Sequence, residues 1–123
     1  MKRFTAFFLV LILVFSALTL VAFAQTNDGF YSGYYYAATL TSTRTTANTY
    51  MSYNGSSRIS SNGTAYYKNP STGAQNSLTL YAPPKTSSTG ASVSVPTGNR
   101  FTSVVEYYYV LTAYVTAISV TVS

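Results

Sequence analysis

From Tyr34 onward the chain alternates. Tyr34, Tyr36, Ala38 and Leu40 fall on one side of an extended backbone, and Tyr35, Ala37, Thr39 and Thr41 fall on the other. That is the two-residue period of a strand, not the 3.6-residue period of a helix. The next stretch obeys the same rule, with Ala47, Thr49, Met51 and Tyr53 on one face and the turn dipeptide Asn54-Gly55 after it. Near the end, Val104, Glu106, Tyr108 and Val110 oppose Ser103, Val105, Tyr107 and Tyr109, while Tyr114, Thr116, Ile118, Val120 and Val122 form a further apolar stripe. No Gly or Pro interrupts the run between Arg100 and Ser123, which is too long for one ordinary strand. Two strands, 101–111 and 113–122, are therefore expected, with a break near 111–113. Helical spacing is the rival reading, and the β-branched content and strict alternation of 117–123 argue against it.

The intervening segments carry weaker marks. Residues 58–68 read either as a strand with a bulge or as a short hairpin, because Asn62-Gly63 sits in their middle. Asn69-Pro70-Ser71-Thr72-Gly73 is a tight reversal, so 64–68 and 75–81 should pair as a hairpin. Residues 82–90, with Pro83-Pro84 and a Ser/Thr run, read as the longest loop. A short strand at 91–95 stops at Pro96-Thr97-Gly98. About seven short strands and no helix predict a small antiparallel β-sandwich of immunoglobulin-like proportions, with a small β-barrel as the alternative. That likeness is architectural and carries no function.

Whether such a chain can hold a core is a question of composition. Residues 25–123 contain only 16 Leu, Ile, Val and Phe, a fraction low enough to raise disorder. Against it stand a small net charge and 13 Tyr, whose large rigid rings low-complexity chains lack. Thr (17) and Ser (16) supply a third of the same residues, and Thr and Tyr both suit a pleated, half-buried surface. With no Cys, no disulfide assists, and a core must suffice alone. About 100 residues make that feasible.

The first 24 residues form a different kind of segment. Met1-Lys2-Arg3 is positive, 4–20 is almost wholly apolar, and Ala22-Phe23-Ala24 offers small residues at both positions of an A-x-A cleavage signal. This predicts a signal peptide over 1–24, with an uncleaved anchor as the alternative. Residues 25–29 then form a flexible lead-in and 30–123 a single domain, secreted or associated with the cell surface. Five cations (Arg44, Arg58, Lys68, Lys85, Arg100) and two acids (Asp28, Glu106) remain after the leader, for a net charge of 5 − 2 = +3. The cations are scattered, without the clustering that nucleic acid or an anionic membrane surface requires. Membrane contact is expected only through the leader.

Catalytic chemistry is restricted by what is missing. Without His or Cys, no Ser-His-Asp triad, Cys-His pair or imidazole metal site can be built. A two-carboxylate glycosidase would need both Asp28, in the lead-in, and Glu106, within a strand. The same shortage of carboxylates speaks against calcium. No S-x-x-K spacing and no phosphate-cradling Gly loop occurs after the leader. The expectation is a non-enzymatic protein without cofactor or metal. Glu106, between Val105 and Tyr107 in the most apolar segment, is expected either to reach solvent or a neighbouring cation, or to lie half-buried with a raised pKa or form part of a binding rim.

Candidate contact residues come from the tyrosine clusters. Tyr34, Tyr35 and Tyr36, and likewise Tyr107, Tyr108 and Tyr109, place consecutive rings on opposite faces, so each cluster sends at least one ring inward and one outward. Outward rings are the expected contacts, their identity depending on register. A protein partner or self-association, through faces, loops or the uncharged C-terminal strand 117–123 if that strand lies at a sheet edge and is not tucked between two others, is favoured over a sugar-binding module using exposed Tyr. A membrane-active, bacteriocin-like toxin is the third reading. Asn54-Gly55-Ser56 and Asn62-Gly63-Thr64 fit the N-glycosylation triplet and read first as turns.

Overall fold

A computed structural model describes residues 23–123. Its elements are β1 (Phe23–Tyr31), β2 (Tyr34–Ser42), β3 (Thr46–Tyr53), β4 (Arg58–Lys68), β5 (Gln75–Thr86), β6 (Ser88–Ser94), β7 (Arg100–Val110) and β8 (Ala113–Thr121). They form two four-stranded antiparallel sheets, β1-β2-β3-β6 and β5-β4-β7-β8, packed as a small sandwich. The leader expected over 1–24 lies, apart from Phe23 and Ala24, outside the described residues.

Eight strands stand where about seven were expected, and the additional one is β1. Residues 25–29 are not a flexible lead-in but the body of this strand, paired from Gln25↔Leu40 to Gly29↔Tyr36. An edge position tolerates their turn-prone composition. Thr26 and Asp28 stay exposed, and Asn27 finds partners across the sandwich on Thr116 and the Ala117 carbonyl. Gly29 lies beside the Tyr36 ring, where a Cβ would come within 3.1 Å of the phenol oxygen.

The second departure concerns 82–90, which is not a loop. β5 continues through Pro83 and Pro84 to Thr86, and only Ser87, at φ 73°, separates it from β6. Two features admit the prolines. β5 is an edge strand, and its register with β4 slips between Ser61↔Ala82 and Ile59↔Lys85, leaving Pro83 and Pro84 in the bulge. Ser87 carries the chain from one sheet to the other.

The remaining elements follow their turn chemistry. β4 is one strand, with Asn62-Gly63 inside it and not at a reversal. The β4–β5 hairpin closes from Asn62↔Tyr81 to Lys68↔Gln75, its turn held by Asn69 Oδ1, which accepts from the Ser71 and Thr72 N–H groups at 2.8 and 3.2 Å. β7 and β8 separate at Leu111-Thr112, where Leu111 takes φ 54°. Among the described residues β8 pairs with β7 alone and forms the edge of its sheet.

Between the sheets lie Leu40, Met51, Ile59, Leu80, Phe101, Val104 and Ile118, each at most 1% exposed. Burial of side chains this size contributes roughly 1.5–3 kcal/mol apiece. Ala38, Ala47, Ala65 and Ala82 are fully buried as well, and these small residues leave room for the rings of Tyr36, Tyr53 and Tyr108. The connections sort into two poles. One carries Ser32-Gly33, residues 54–57, Ser87 and Leu111-Thr112, tied by Asn54 N–H to the Tyr35 carbonyl (3.0 Å), Tyr53 N–H to Ser87 (2.9 Å) and Leu111 N–H to Arg58 (2.8 Å). The other carries 43–45, 69–74 and 96–99.

Candidate functional site

β7 positions both parts of the site, one on each of its faces. Its inward residues Val104, Glu106, Tyr108 and Val110 are all at most 1% exposed. Glu106 stands opposite Gly63 of β4 and Ile118 of β8. The absent side chain at Gly63 makes room for the carboxyl: a Cβ there would lie 2.2 Å from Glu106 Oε1 and 2.0 Å from the Val105 carbonyl oxygen. Ser61 Oγ donates to Glu106 Oε2 at 2.7 Å, whereas Oε1 has no partner. A polar line continues from there. Thr49 Oγ1 is 3.5 Å from Ser61 Oγ and 2.7 Å from Tyr108 Oη, which also donates to the Thr39 carbonyl at 3.3 Å.

Burial dominates the electrostatics of this line. It pushes the Glu106 pKa up to about 8, against the opposing hydrogen bond from Ser61. The group is therefore a neutral acid at neutral pH. Burial also raises the Tyr108 phenol, with Thr49 opposing and Glu106 adding to the shift. Glu106 does not reach solvent, pairs with no cation among the described residues, and is fully rather than half buried. A carboxyl beside a serine hydroxyl resembles a base and a nucleophile, but both are sealed between the sheets at 0% and 1% exposure, where no substrate can meet them.

The outward face of β7 is of a different kind. Tyr107 is 45% exposed and Tyr114 of β8 is 58% exposed. Their ring centroids lie 6.2 Å apart, and Tyr109 meets the same Tyr114 ring at 6.3 Å. Asn62 joins Tyr107 to Tyr81 of β5 across the same face. The ladder neighbours of these rings are Ser60, Asn62 and Ala117, and Thr64, Val105 and Ser119 follow one step further along the same face.

The sequence-derived candidates thus divide. Tyr107 and Tyr109 lie on this outer face, and Tyr108 lies in the core. In the other cluster, Tyr36 is 9% exposed and packs inward, while Tyr34 and Tyr35 are 53% and 37% exposed near the β1–β2 turn. Tyr34 packs edge-on against Tyr53 at 6.1 Å. Tyr35 packs against Phe30 at 5.7 Å, and its phenol donates to Asp28, the hydrogen bond that chiefly raises its pKa. Sequence reasoning missed Tyr114 as a contact residue, because strict alternation groups it in one apolar stripe with Thr116 and Ile118. Register explains the reversal. Tyr108 pairs with Thr116 but Tyr109 pairs with Tyr114, so Val115 is an extra residue that turns Tyr114 outward. No glycine or proline marks that bulge.

A shallow cleft of about 330 Å³ lies toward the opposite pole, lined by Tyr66, Tyr67, Gln75, Asn76, Thr102 and Ser103. It has no charged lining residue and touches neither the tyrosine group nor Glu106. No protein-family model matches the chain, and no curated protein and no solved structure matches it.

Proposed function

We propose that this chain is an exported, non-enzymatic interaction protein that meets a protein partner through the outer face of the β5-β4-β7-β8 sheet. The observation that carries the reading is the contiguous group of Tyr107, Tyr109 and Tyr114 on an outer face that sets Ser60 and Asn62 beside them. Tyrosine offers large contact area at small entropic cost, and Ser beside it offers adaptable hydrogen bonds, a combination typical of protein-recognition surfaces. The rings are tilted against one another by 52° and 70°. They do not share a flat face on which a sugar chain would stack, which favours a protein over a glycan. Export is supported by the charged start, apolar run and A-x-A triplet of residues 1–24.

Hydroxyl-radical footprinting of the full chain on its producing cells, compared with the purified chain, tests the reading. Tyr107 and Tyr114 should be protected several-fold on the cells, with Tyr50 of the other sheet still reactive. Protease treatment of the cell surface should abolish the protection, and polysaccharide-degrading enzymes should not. Equal labelling of Tyr107 and Tyr114 in both settings would contradict the proposal.

A further inference from the structure

β1 is held in a different way from the other strands. None of its nine residues is buried, whereas each of the other seven strands contributes at least one. Its inward positions are Gln25, Asn27, Gly29 and Tyr31, opposite Leu40, Ala38, Tyr36 and Tyr34. It therefore adds little apolar burial of its own. Its hold is the backbone ladder to β2, the half-buried Tyr31 ring at the margin of the core, and a few ties: Asn27 to Thr116 and Ala117, Thr26 to Thr39, the Tyr35 phenol to Asp28, and the Tyr53 phenol to the Tyr31 carbonyl. β2 has the opposite character. Ala38 and Leu40 are fully buried, and without a neighbouring strand the ladder groups of β2 and the rim of the core would meet water. The acceptor thus requires a strand, yet the strand is not committed to its own copy, because a backbone ladder is satisfied equally by the same segment from another molecule.

Two further observations concern the hinge. β1 and β2 are joined by Ser32 and Gly33 alone, both left-handed at φ 51° and 81°. Gly33 adopts that region freely, whereas Ser32 carries a Cβ and is strained there. Short strained hinges favour strand exchange, since opening removes the strain while the exchanged contacts re-form between copies. Around the hinge stand Phe30, Tyr34 and Leu111, 74%, 53% and 62% exposed. The turns of the opposite pole, residues 43–45, 69–74 and 96–99, present no exposed large apolar side chain. If the turn opens, β1 and β2 become one continuous strand that pairs with its counterpart about a two-fold axis. The apolar side chains at the hinge poles of the two copies are then brought together.

We propose that this chain pairs with a second copy of itself by exchanging β1 across Ser32-Gly33, with Phe30, Tyr34 and Leu111 at the centre of the contact. This interface is separate from the Tyr107 face and does not depend on the function assigned to it. The chain has no cysteine, which makes the test direct. Thr26 and Thr39 are paired, with hydroxyl oxygens 3.0 Å apart. Full-length Thr26→Cys and Thr39→Cys variants, carrying tags of different size, are mixed, concentrated and oxidised. Exchange predicts that disulfides joining a Thr26→Cys copy to a Thr39→Cys copy greatly outnumber self-linked products, and that the double variant yields linked dimers. Ser32→Asn, which gives the hinge the Asn-Gly pair suited to this turn, should lower the dimer yield several-fold. Mixed links no more frequent than self-links, or a double variant that closes only within single copies, would overturn the proposal.

Discussion

Ser61 and Glu106 are joined by a single hydrogen bond of 2.7 Å inside a sandwich that offers the second oxygen of the carboxyl nothing. A charge there would be severely under-solvated, so the fold retains a proton that the unfolded chain gives up.

Stability should therefore fall as pH rises. The folded pKa of about 8 lies above the ordinary 4.5, so between those values the native state binds the proton more tightly than the unfolded state does. The contribution is complete below about pH 4.5, declines through neutrality and is lost above about pH 8. Its slope can reach about 1.4 kcal/mol per pH unit. Urea unfolding at a series of pH values should show this decline in the natural chain and a much flatter profile in Glu106→Gln. A decline of equal steepness in the variant would assign the pH dependence to another group.

Gly63→Ala should be among the most damaging single substitutions. The added Cβ would press on the Val105 carbonyl oxygen and on Glu106 Oε1, and backbone cannot swing aside as the end of a side chain can. A loss of about 3 kcal/mol, or a melting temperature lower by roughly 10–20 °C, is expected in calorimetry. A variant that melts with the parent would mean that β4 and β7 are spaced differently.

Neighbouring tyrosines should respond unequally to loss of a hydroxyl. Tyr108→Phe removes the partner of Thr49 and the donor to the Thr39 carbonyl in the core, which should cost about 1–2 kcal/mol. Tyr107→Phe, on the solvent face, should change stability by under about 0.5 kcal/mol. Chemical denaturation of the two variants compares them directly, and equal losses would contradict the facing of β7.

How much of this was legible depends on how regular each strand is. Strict alternation in β2, β3 and β7 is a direct consequence of the pleat, so the inward sets Tyr36-Ala38-Leu40, Ala47-Thr49-Met51-Tyr53 and Val104-Glu106-Tyr108-Val110 could be read from residue order alone. Bulges defeated the same rule. The extra residue at Val115 turned Tyr114 to the surface, and the slip between Ile59 and Ser61 let β5 run through two prolines. β1 escaped notice because an edge strand without buried residues needs no apolar alternation. Glu106 lay on the correct face by register, but its complete burial depends on Gly63 across the ladder, a pairing that local sequence does not reveal.

Tyrosine modification should rank the rings by face. Limited iodination should reach Tyr34, Tyr50, Tyr107 and Tyr114, which are 45–58% exposed, well before Tyr36, Tyr53 and Tyr108, none above 9%. Peptide mapping that found Tyr108 labelled as early as Tyr107 would exchange the two faces of β7.

The most direct measurement is the NMR titration of the Glu106 side-chain carboxyl carbon in the folded protein. A midpoint near 8 is the result expected if β7 turns Glu106 and Tyr108 into the sandwich and Tyr107 and Tyr109 to its outer face. A midpoint near 4.5, the ordinary value for a solvated glutamate, would place that carboxyl in water and contradict both assignments.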